Sequence, residues 1–122
     1  MDATAEQVAA GLRTAYETAD LAALGELLHP DVRWGGAEDT PDTCHNRSDV
    51  LAWYRRGYES GMRATVTEVL TRPGAVFLAL RVSGRAPGKA ILVHQVFRLT
   101  DGLVADIRGY PERDLAVARF EG

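Results

Sequence analysis

The spacing of hydrophobic and polar positions changes about halfway along this chain. In the first half, apolar side chains recur every three or four residues, which predicts amphipathic helices. From about residue 62 onward they alternate with polar side chains, which predicts strands. We therefore expect helices first, followed by a run of strands that short turns connect.

Three helices and one short strand are predicted in the first half. Each helix begins at a residue whose side chain can cap it, and Pro30 ends the second because proline cannot continue a helix. Thr4 and Gln7 have the spacing of a capping box. The caps and apolar stretches are Thr4 with Val8 to Ala19, Asp20 with Leu21 to Leu28, and Asn46 or Ser48 with Val50 to Tyr58; the short strand lies at 31–34 and a polar loop at 35–43.

Four strands are predicted in the second half, and the last pair gives the clearest signal. Two alternating runs flank Thr100, Asp101 and Gly102, which is the pattern of a β-hairpin. Polar side chains lie on both faces of this hairpin. Because one face must be core, we expect some of them to line a cavity. A final helical turn is expected around Leu115 and Phe120. The strands are predicted at about 62–71, 75–83, 89–99 and 103–110.

Composition and charge indicate one globular domain spanning 1–122. The chain is 46% hydrophobic and 25% charged, with a net charge of −3 spread along it. The sequence therefore lacks the concentrated positive charge that is typical of proteins binding nucleic acid or an anionic membrane. The single cysteine, Cys44, excludes an internal disulfide. No apolar run reaches membrane-spanning length, and from the first residues we expect no signal peptide. We expect a cytoplasmic protein that binds neither nucleic acid nor membrane.

The order of elements and three sequence segments resemble a known family. Helices that precede an antiparallel meander indicate an α+β domain. The segments 20–32, 46–51 and 96–104, in this order, resemble the SnoaL-like, or nuclear-transport-factor-like, family over nearly the whole chain. The resemblance implies N-terminal helices packed in the concave face of a strongly curved, mostly antiparallel sheet. This is a cystatin-like cone with the order α-α-β-α-β-β-β-β.

The resemblance also implies which side chains enter a central pocket. The family includes ketosteroid isomerases, epoxide hydrolases, dehydratases, polyketide cyclases and non-catalytic binding modules, so the chemistry depends on the site. By comparison with the isomerases, odd-numbered side chains of the hairpin point inward, and those of strand 75–83 are taken to do the same. Arg81, Gln95 and Ser83 then become the polar groups of a mostly apolar pocket. Its walls are expected to be Tyr16, Trp34, Trp53, Tyr54, Tyr58, Phe77, Val93 and Ile107.

The opposite face of the hairpin carries His94, Arg98, Asp106, Arg108 and Tyr110. Family members commonly pair such outer faces, so a homodimer is expected. An alternative is that His94 forms an acid–base pair with Asp106 or Arg108, because its intrinsic pKa is close to neutral. A shift of one residue in strand register would exchange the two sets.

The catalytic groups of the best-known members are incomplete here. Arg81 matches an arginine of the epoxide hydrolases, but Ser83 and Gly109 stand where their aspartates are expected. Tyr54 matches a supporting tyrosine of the isomerases, and Gln95 replaces one of their acids. A buried Arg81 would need either a carboxylate partner such as Glu68 or a ligand.

Two functions remain open. The first is a cofactor-free isomerase, cyclase, dehydratase or hydrolase acting on a hydrophobic oxygenated metabolite. In it Arg81, Gln95 and Tyr54 would polarise a carbonyl, and Asp39 or Glu38 of the 35–43 loop would be the base. The second is a non-catalytic small-molecule-binding or dimerisation module. A carboxylate or imidazole inside the pocket would favour the enzyme.

No metal or nucleotide cofactor is expected. The three histidines, His29, His45 and His94, lack the spacing of zinc ligands, and no glycine-rich nucleotide motif is present. The expected ligand is therefore a small hydrophobic molecule alone.

Overall fold

A five-stranded mixed sheet with helices on both faces forms the fold in a computed structural model, which describes residues 3–36, 38, 40, 43–84 and 90–122. The predicted α+β order is confirmed, and the C-terminal turn is a full helix. The elements are α1 (Ala5–Thr18), α2 (Leu21–Leu27), β1 (Leu28–Gly35), α3 (Arg47–Glu59), β2 (Arg63–Arg72), β3 (Ala75–Ser83), β4 (Ala90–Thr100), β5 (Leu103–Tyr110) and α4 (Arg113–Glu121).

The helices begin at their predicted caps. Thr4 and Gln7 form the reciprocal capping box of α1. Asp20 accepts the backbone N–H of Ala23 at 3.0 Å at the start of α2. Asn46 accepts the N–H of Asp49 at 2.8 Å, so Asn46 is the cap of α3.

The strands lie in the order β1-β5-β4-β3-β2, and the sheet does not close. β1 pairs with β5 in parallel, and all the other neighbours are antiparallel. β1 begins at Leu28 and is longer than predicted. Its position at the sheet edge suits Pro30, which has no N–H for a ladder. The β4–β5 turn is Asp101–Gly102 with φ of 54° and 75°, the positive values that a tight hairpin turn requires.

The inner face of the sheet is the face covered by α1, α2 and α3. Phe97 of β4 and Ile107 of β5 are fully buried there against Tyr16 and Leu12 of the helical layer. The parity predicted for the hairpin is therefore confirmed, with odd-numbered side chains of β4 facing inward.

The parity predicted for β3 is wrong. Paired residues of antiparallel strands share a face, and the register pairs Leu78 with Gln95 and Leu80 with Val93. Even-numbered side chains of β3 therefore face inward. Phe77 is buried on the outer face, 6.3 Å from Phe120 of α4 between ring centroids.

The outer face is covered by α4 of the same chain. Ala116 and Phe120 pack there against Val96 and Tyr110. The centre of this face is therefore closed to solvent, which explains why the segment 75–80 is buried throughout and shows no alternation. No helix in the described part of the chain is long and apolar enough to cross a bilayer.

Candidate functional site

A cavity of about 350 Å³ lies between α3, β2 and the inner face of β3 and β4. Its size lies in the range of about 300–1,000 Å³ that is usual for small-molecule pockets. The lining is mostly apolar and aromatic. It consists of Tyr16, Trp34, Trp53, Tyr54, Arg56, Gly57, Tyr58, Ser60, Met62, Arg63, Ala64, Leu80, Val82, Ile91, Val93 and Gln95.

Five aromatic rings form one continuous wall. Trp34 of β1 lies 5.0 Å from Trp53 and 6.4 Å from Tyr54 between ring centroids. Tyr54 lies 5.5 Å from Tyr16 and 6.2 Å from Tyr58. Tyr54 and Tyr58 share one side of α3 because they are four residues apart. Such a wall suits a planar or polycyclic apolar ligand.

The buried end of the cavity holds a hydrogen-bonded set that we call the polar floor: Tyr16, Tyr54 and Gln95. The hydroxyl oxygens of Tyr16 and Tyr54 are 2.7 Å apart, and Tyr16 donates to Oε1 of Gln95 at 3.1 Å. Each tyrosine has one O–H, so Tyr54 donates to Tyr16 in this arrangement. Tyr16 is 1% exposed and Gln95 5%. Three elements, α1, α3 and β4, therefore place neutral polar groups at one point.

The tyrosines of the cavity remain protonated at neutral pH. Burial raises the pKa of Tyr16 well above its usual value, and the neighbouring Tyr54 raises it further. Burial also raises the pKa of Tyr54, against the opposing effect of the neighbouring polar groups of Tyr16, Gln95 and Trp34. The pKa of Tyr58 is raised mainly by burial. The three phenols therefore act as hydrogen-bond donors and not as bases.

One further donor lies in the aromatic wall. Nε1 of Trp34 is buried near the hydroxyl of Tyr54, but the two do not form a well-aligned hydrogen bond. An unpaired buried donor costs about 1–3 kcal/mol. An acceptor atom on a bound molecule would remove this cost.

The sequence profile of the SnoaL-like domain matches residues 8–107. The chain belongs to this family.

Solved structures share the fold of this SnoaL-like domain. Bal32a, from a soil-derived mobile gene cassette, is 26% identical with a TM-score of 0.74, covering 95% of this chain and 97% of its own. A protein proposed to be a ketosteroid isomerase, from Kribbella flavida, is 21% identical with a TM-score of 0.72, covering 88% and 80%. A protein proposed to be a polyketide cyclase, from Sinorhizobium meliloti, is 22% identical with a TM-score of 0.69, covering 84% and 93%. No curated protein matches the sequence.

The SnoaL-like domain brings most of the predicted pocket residues together. Ile107 is an exception, because it is fully buried in the inner core and does not line the cavity. The predicted residues that do line it are Tyr16, Trp34, Trp53, Tyr54, Tyr58, Val93 and Gln95.

Arg81 and Phe77 lie on the outer face, so their predicted inward orientation is wrong. Arg81 is exposed, and the pocket-lining residues of β3 are Leu80 and Val82, which point to the opposite face. The expected ion pair between Arg81 and Glu68 is also wrong. Glu68 accepts two hydrogen bonds from Arg113, one of them 2.8 Å from Nε to Oε1.

His94 lies on the outer face as predicted, but α4 and Phe77 cover it. It is 8% exposed, its ring stacks on Phe77 at 6.3 Å, and its Nδ1 has no partner among the described residues. The proposed pair with Asp106 does not form. Asp106 binds Arg108 instead, with Nη2 3.0 Å from Oδ1. The register pairs His94 with Tyr110, four residues beyond Asp106, which corresponds to roughly 13 Å along the strand.

The loop that was expected to supply a base is described only in part. Asp39 and Asp42 lie outside the described residues. Glu38 borders a cleft on the outer side, beside Arg98 and Arg119, and does not line the cavity. Within the described residues, no cluster of His, Cys, Asp or Glu could hold a metal ion.

Cys44 is not placed as a nucleophile. Its backbone pairs with Trp34 in an isolated antiparallel bridge. Burial raises the pKa of its thiol, so the reactive thiolate is disfavoured.

Sequence reasoning missed the wall that β2, β3 and the end of α3 form. The length of the β3–β4 connection was a usable signal, because it sets which residues of the two strands pair. A register that pairs Val93 with Leu80 puts Leu80 and Val82 on the cavity face. Arg56 falls three residues after Trp53, a helical spacing that could have suggested it. The residues missed are Arg56, Gly57, Ser60, Met62, Arg63, Ala64, Leu80, Val82 and Ile91.

Proposed function

We propose that this SnoaL-like domain binds a hydrophobic, oxygen-bearing small molecule in the cavity and hydrogen-bonds its oxygen at the polar floor. The observation that carries the proposal is the chain of Tyr54, Tyr16 and Gln95 at the buried end of an otherwise apolar cavity. Apolar pockets with a few convergent polar groups are the usual form of small-molecule sites.

The same donors suit cofactor-free chemistry at a carbonyl group. Neutral donors in a dry site stabilise an oxyanion or enolate strongly, and the O–H of Tyr54 reaches a ligand oxygen by turning away from Tyr16 about its C–O bond. The raised pKa of Tyr16 and of Tyr54 keeps both hydroxyls protonated for this role. The reaction class we propose is isomerase-, cyclase- or dehydratase-like, with Asp39 as the candidate base.

The second candidate is a non-catalytic binding module, and one observation favours it. Among the described lining residues, the titratable groups are tyrosines and arginines, with no carboxylate or imidazole. Proton abstraction at neutral pH requires such a group at the reacting atom.

Fluorenone and fluorene form a matched pair that tests the binding proposal, since they differ in a single carbonyl oxygen. Wild-type protein should bind fluorenone more tightly than fluorene. Tyr54→Phe should weaken fluorenone about fivefold, the effect of one lost hydrogen bond, and leave fluorene unchanged. Arg81→Leu, on the outer face, is the control and should change neither. Equal affinities for the two ligands in every variant would refute recognition of an oxygen atom.

Hydrogen exchange separates the enzyme from the binding module. 2-Tetralone in D₂O exchanges its α-protons through an enolate, which NMR follows directly. An enzyme of the proposed class should accelerate this exchange, and Tyr16→Phe or Asp39→Asn should abolish the acceleration. Saturable binding of 2-tetralone without acceleration would establish the binding module.

The predicted homodimer and the cytoplasmic location remain predictions. α4 narrows the outer surface that a second copy would use, because it covers the centre of that face. The single Cys44 supports a reducing compartment.

A further inference from the structure

The mouth of the cavity differs from its buried end in charge. Arg56 at the end of α3 and Arg63 at the start of β2 are exposed and line the cavity. They lie among exposed apolar side chains, with Trp53 45% exposed, Met62 40% and Ile91 63%. A large apolar group would be shielded from water between these side chains, in the neighbourhood of two positive charges.

An aromatic ring flanks each guanidinium group at the mouth, and backbone carbonyls also hold that of Arg63. Arg56 lies 5.8 Å from the ring centroid of Trp53, and Arg63 lies 5.8 Å from that of Tyr58. Nη1 of Arg63 also donates to the backbone oxygens of Tyr58 at 3.1 Å and Met62 at 2.6 Å. Two arginines positioned in this way need little further ordering to bind a ligand.

The two charges at the mouth have no close acidic partner among the described residues. Neither Arg56 nor Arg63 forms an ion pair with a described carboxylate. The described lining contains no aspartate or glutamate, although the chain as a whole carries −3. The positive charge also acts on the wall: burial raises the pKa of Tyr58, and Arg63 opposes that rise. The mouth is therefore a positive site on a negatively charged protein.

We propose that the ligand of this cavity is an amphipathic organic acid. Its ring system fills the aromatic cavity, and its anionic group binds Arg56 and Arg63 at the mouth. The proposal rests on the proposed function, because it requires the cavity to be a ligand site. It specifies that the ligand carries a negative charge, and it adds a second binding point in the cavity, at the end opposite to the polar floor. Guanidinium groups match the planar oxygens of a carboxylate or the oxygens of a sulfonate.

Two fluorescent probes with one ring system test the charge directly. 1-Anilinonaphthalene-8-sulfonate carries a sulfonate, and N-phenyl-1-naphthylamine is the same molecule without it. Both should bind the wild-type cavity. Arg56→Gln and Arg63→Gln should each weaken the sulfonate probe about fivefold, as expected for a partly exposed ion pair. The neutral probe should be unaffected by either change.

Matched controls separate this inference from the proposed function. Arg55→Gln removes an exposed arginine of α3 that does not line the cavity, and it should leave both probes unchanged. Val93→Trp should fill the cavity and remove the binding of both. Added salt should weaken the sulfonate probe only.

The outcomes are distinguishable. If neither probe binds, or Val93→Trp changes neither, the cavity is not a ligand site and the proposed function fails. If the neutral probe binds in the cavity but Arg56→Gln and Arg63→Gln weaken the sulfonate probe no more than Arg55→Gln does, the inference of an acidic ligand fails alone. The three substituted arginines are exposed, so the arginine variants are expected to fold as the wild type does.

Discussion

The two faces of the sheet use polar residues in opposite ways. On the inner face, Tyr16, Tyr54 and Gln95 are neutral and hydrogen-bonded to one another at the cavity, with Tyr16 and Gln95 buried and Tyr54 half-buried. On the outer face, charged residues form ion pairs near the surface, as Glu68 does with Arg113, and His94 lies beneath them. The residues that look most reactive by type therefore lie away from the cavity.

This difference indicates that a functional site in this fold should be sought on the inner face. Ion pairs on the outer face connect α4 to the sheet and have their partners, so they explain structure. The inner polar groups converge at one end of a cavity, beside the buried indole N–H of Trp34. Convergent polar groups in a mostly apolar cavity are the usual form of a small-molecule site.

The largest expected effect tests the inner core. Phe97 is fully buried between the sheet and Tyr16, with ring centroids 6.4 Å apart. Phe97→Ala should lower the free energy of unfolding by about 3–5 kcal/mol, measured by urea denaturation. Leu115→Ala on α4, where the side chain is 52% exposed, is the outer control and should change it by about 0.5 kcal/mol or less. Similar losses at both positions would contradict the assignment of faces.

The second largest expected effect is a loss of folding stability at alkaline pH, and it arises from Tyr16 on the inner face. Burial raises the folded-state pKa of Tyr16, so the folded protein holds this proton more tightly than the unfolded chain does. The stability that this tyrosine contributes is therefore fully present below the pKa of the unfolded chain, about 10, and is lost as pH rises above that value. Tyr16→Phe should reduce the slope of stability against pH above that point by about 1.4 kcal/mol per pH unit.

Urea unfolding at a series of alkaline pH values measures this slope. Phe97→Leu removes no titratable group and serves as the control, so it should keep the wild-type slope. An unchanged slope in Tyr16→Phe would show that the hydroxyl is accessible to water.

The smallest effect lies on the outer face. The hydrogen bonds from Arg113 hold the pKa of the Glu68 carboxyl below its usual value. Its contribution to stability is therefore present above about pH 4.5 and is lost as pH falls through the lowered folded-state value. Because both side chains are largely exposed, the contribution is small. Arg113→Leu should flatten the stability profile slightly between neutral pH and pH 3, and a steeper profile would be contrary to expectation.

Much of the fold could be predicted because its signals are local. Capping residues at Thr4 and Asp20 begin helices whatever the tertiary context, and the Asp101–Gly102 turn sets the register of the last hairpin. Helical spacing also put Trp53, Tyr54 and Tyr58 on one side of α3, whereas Tyr16 and Trp34 were assigned to the cavity from the family resemblance.

The parity of β3 could not be predicted in the same way. Its segment Ala75–Leu80 is buried on both faces, so hydrophobicity does not report which side chains face the cavity. The orientation depends on the pairing of Ser83 with Ala90, a non-local contact. The error moved Arg81 and Phe77 to the wrong face together, because a shift of one residue reverses every side chain of a strand.

The carbonyl resonance of ¹³C-labelled fluorenone tests the central claim most directly. If the polar floor donates a hydrogen bond to a ligand oxygen, this resonance should move downfield on binding to wild-type protein and to Arg81→Leu. The shift should be lost in Tyr54→Phe or Tyr16→Phe. A bound resonance at the position found in hydrocarbon solvent, unchanged by either tyrosine substitution, would contradict the account.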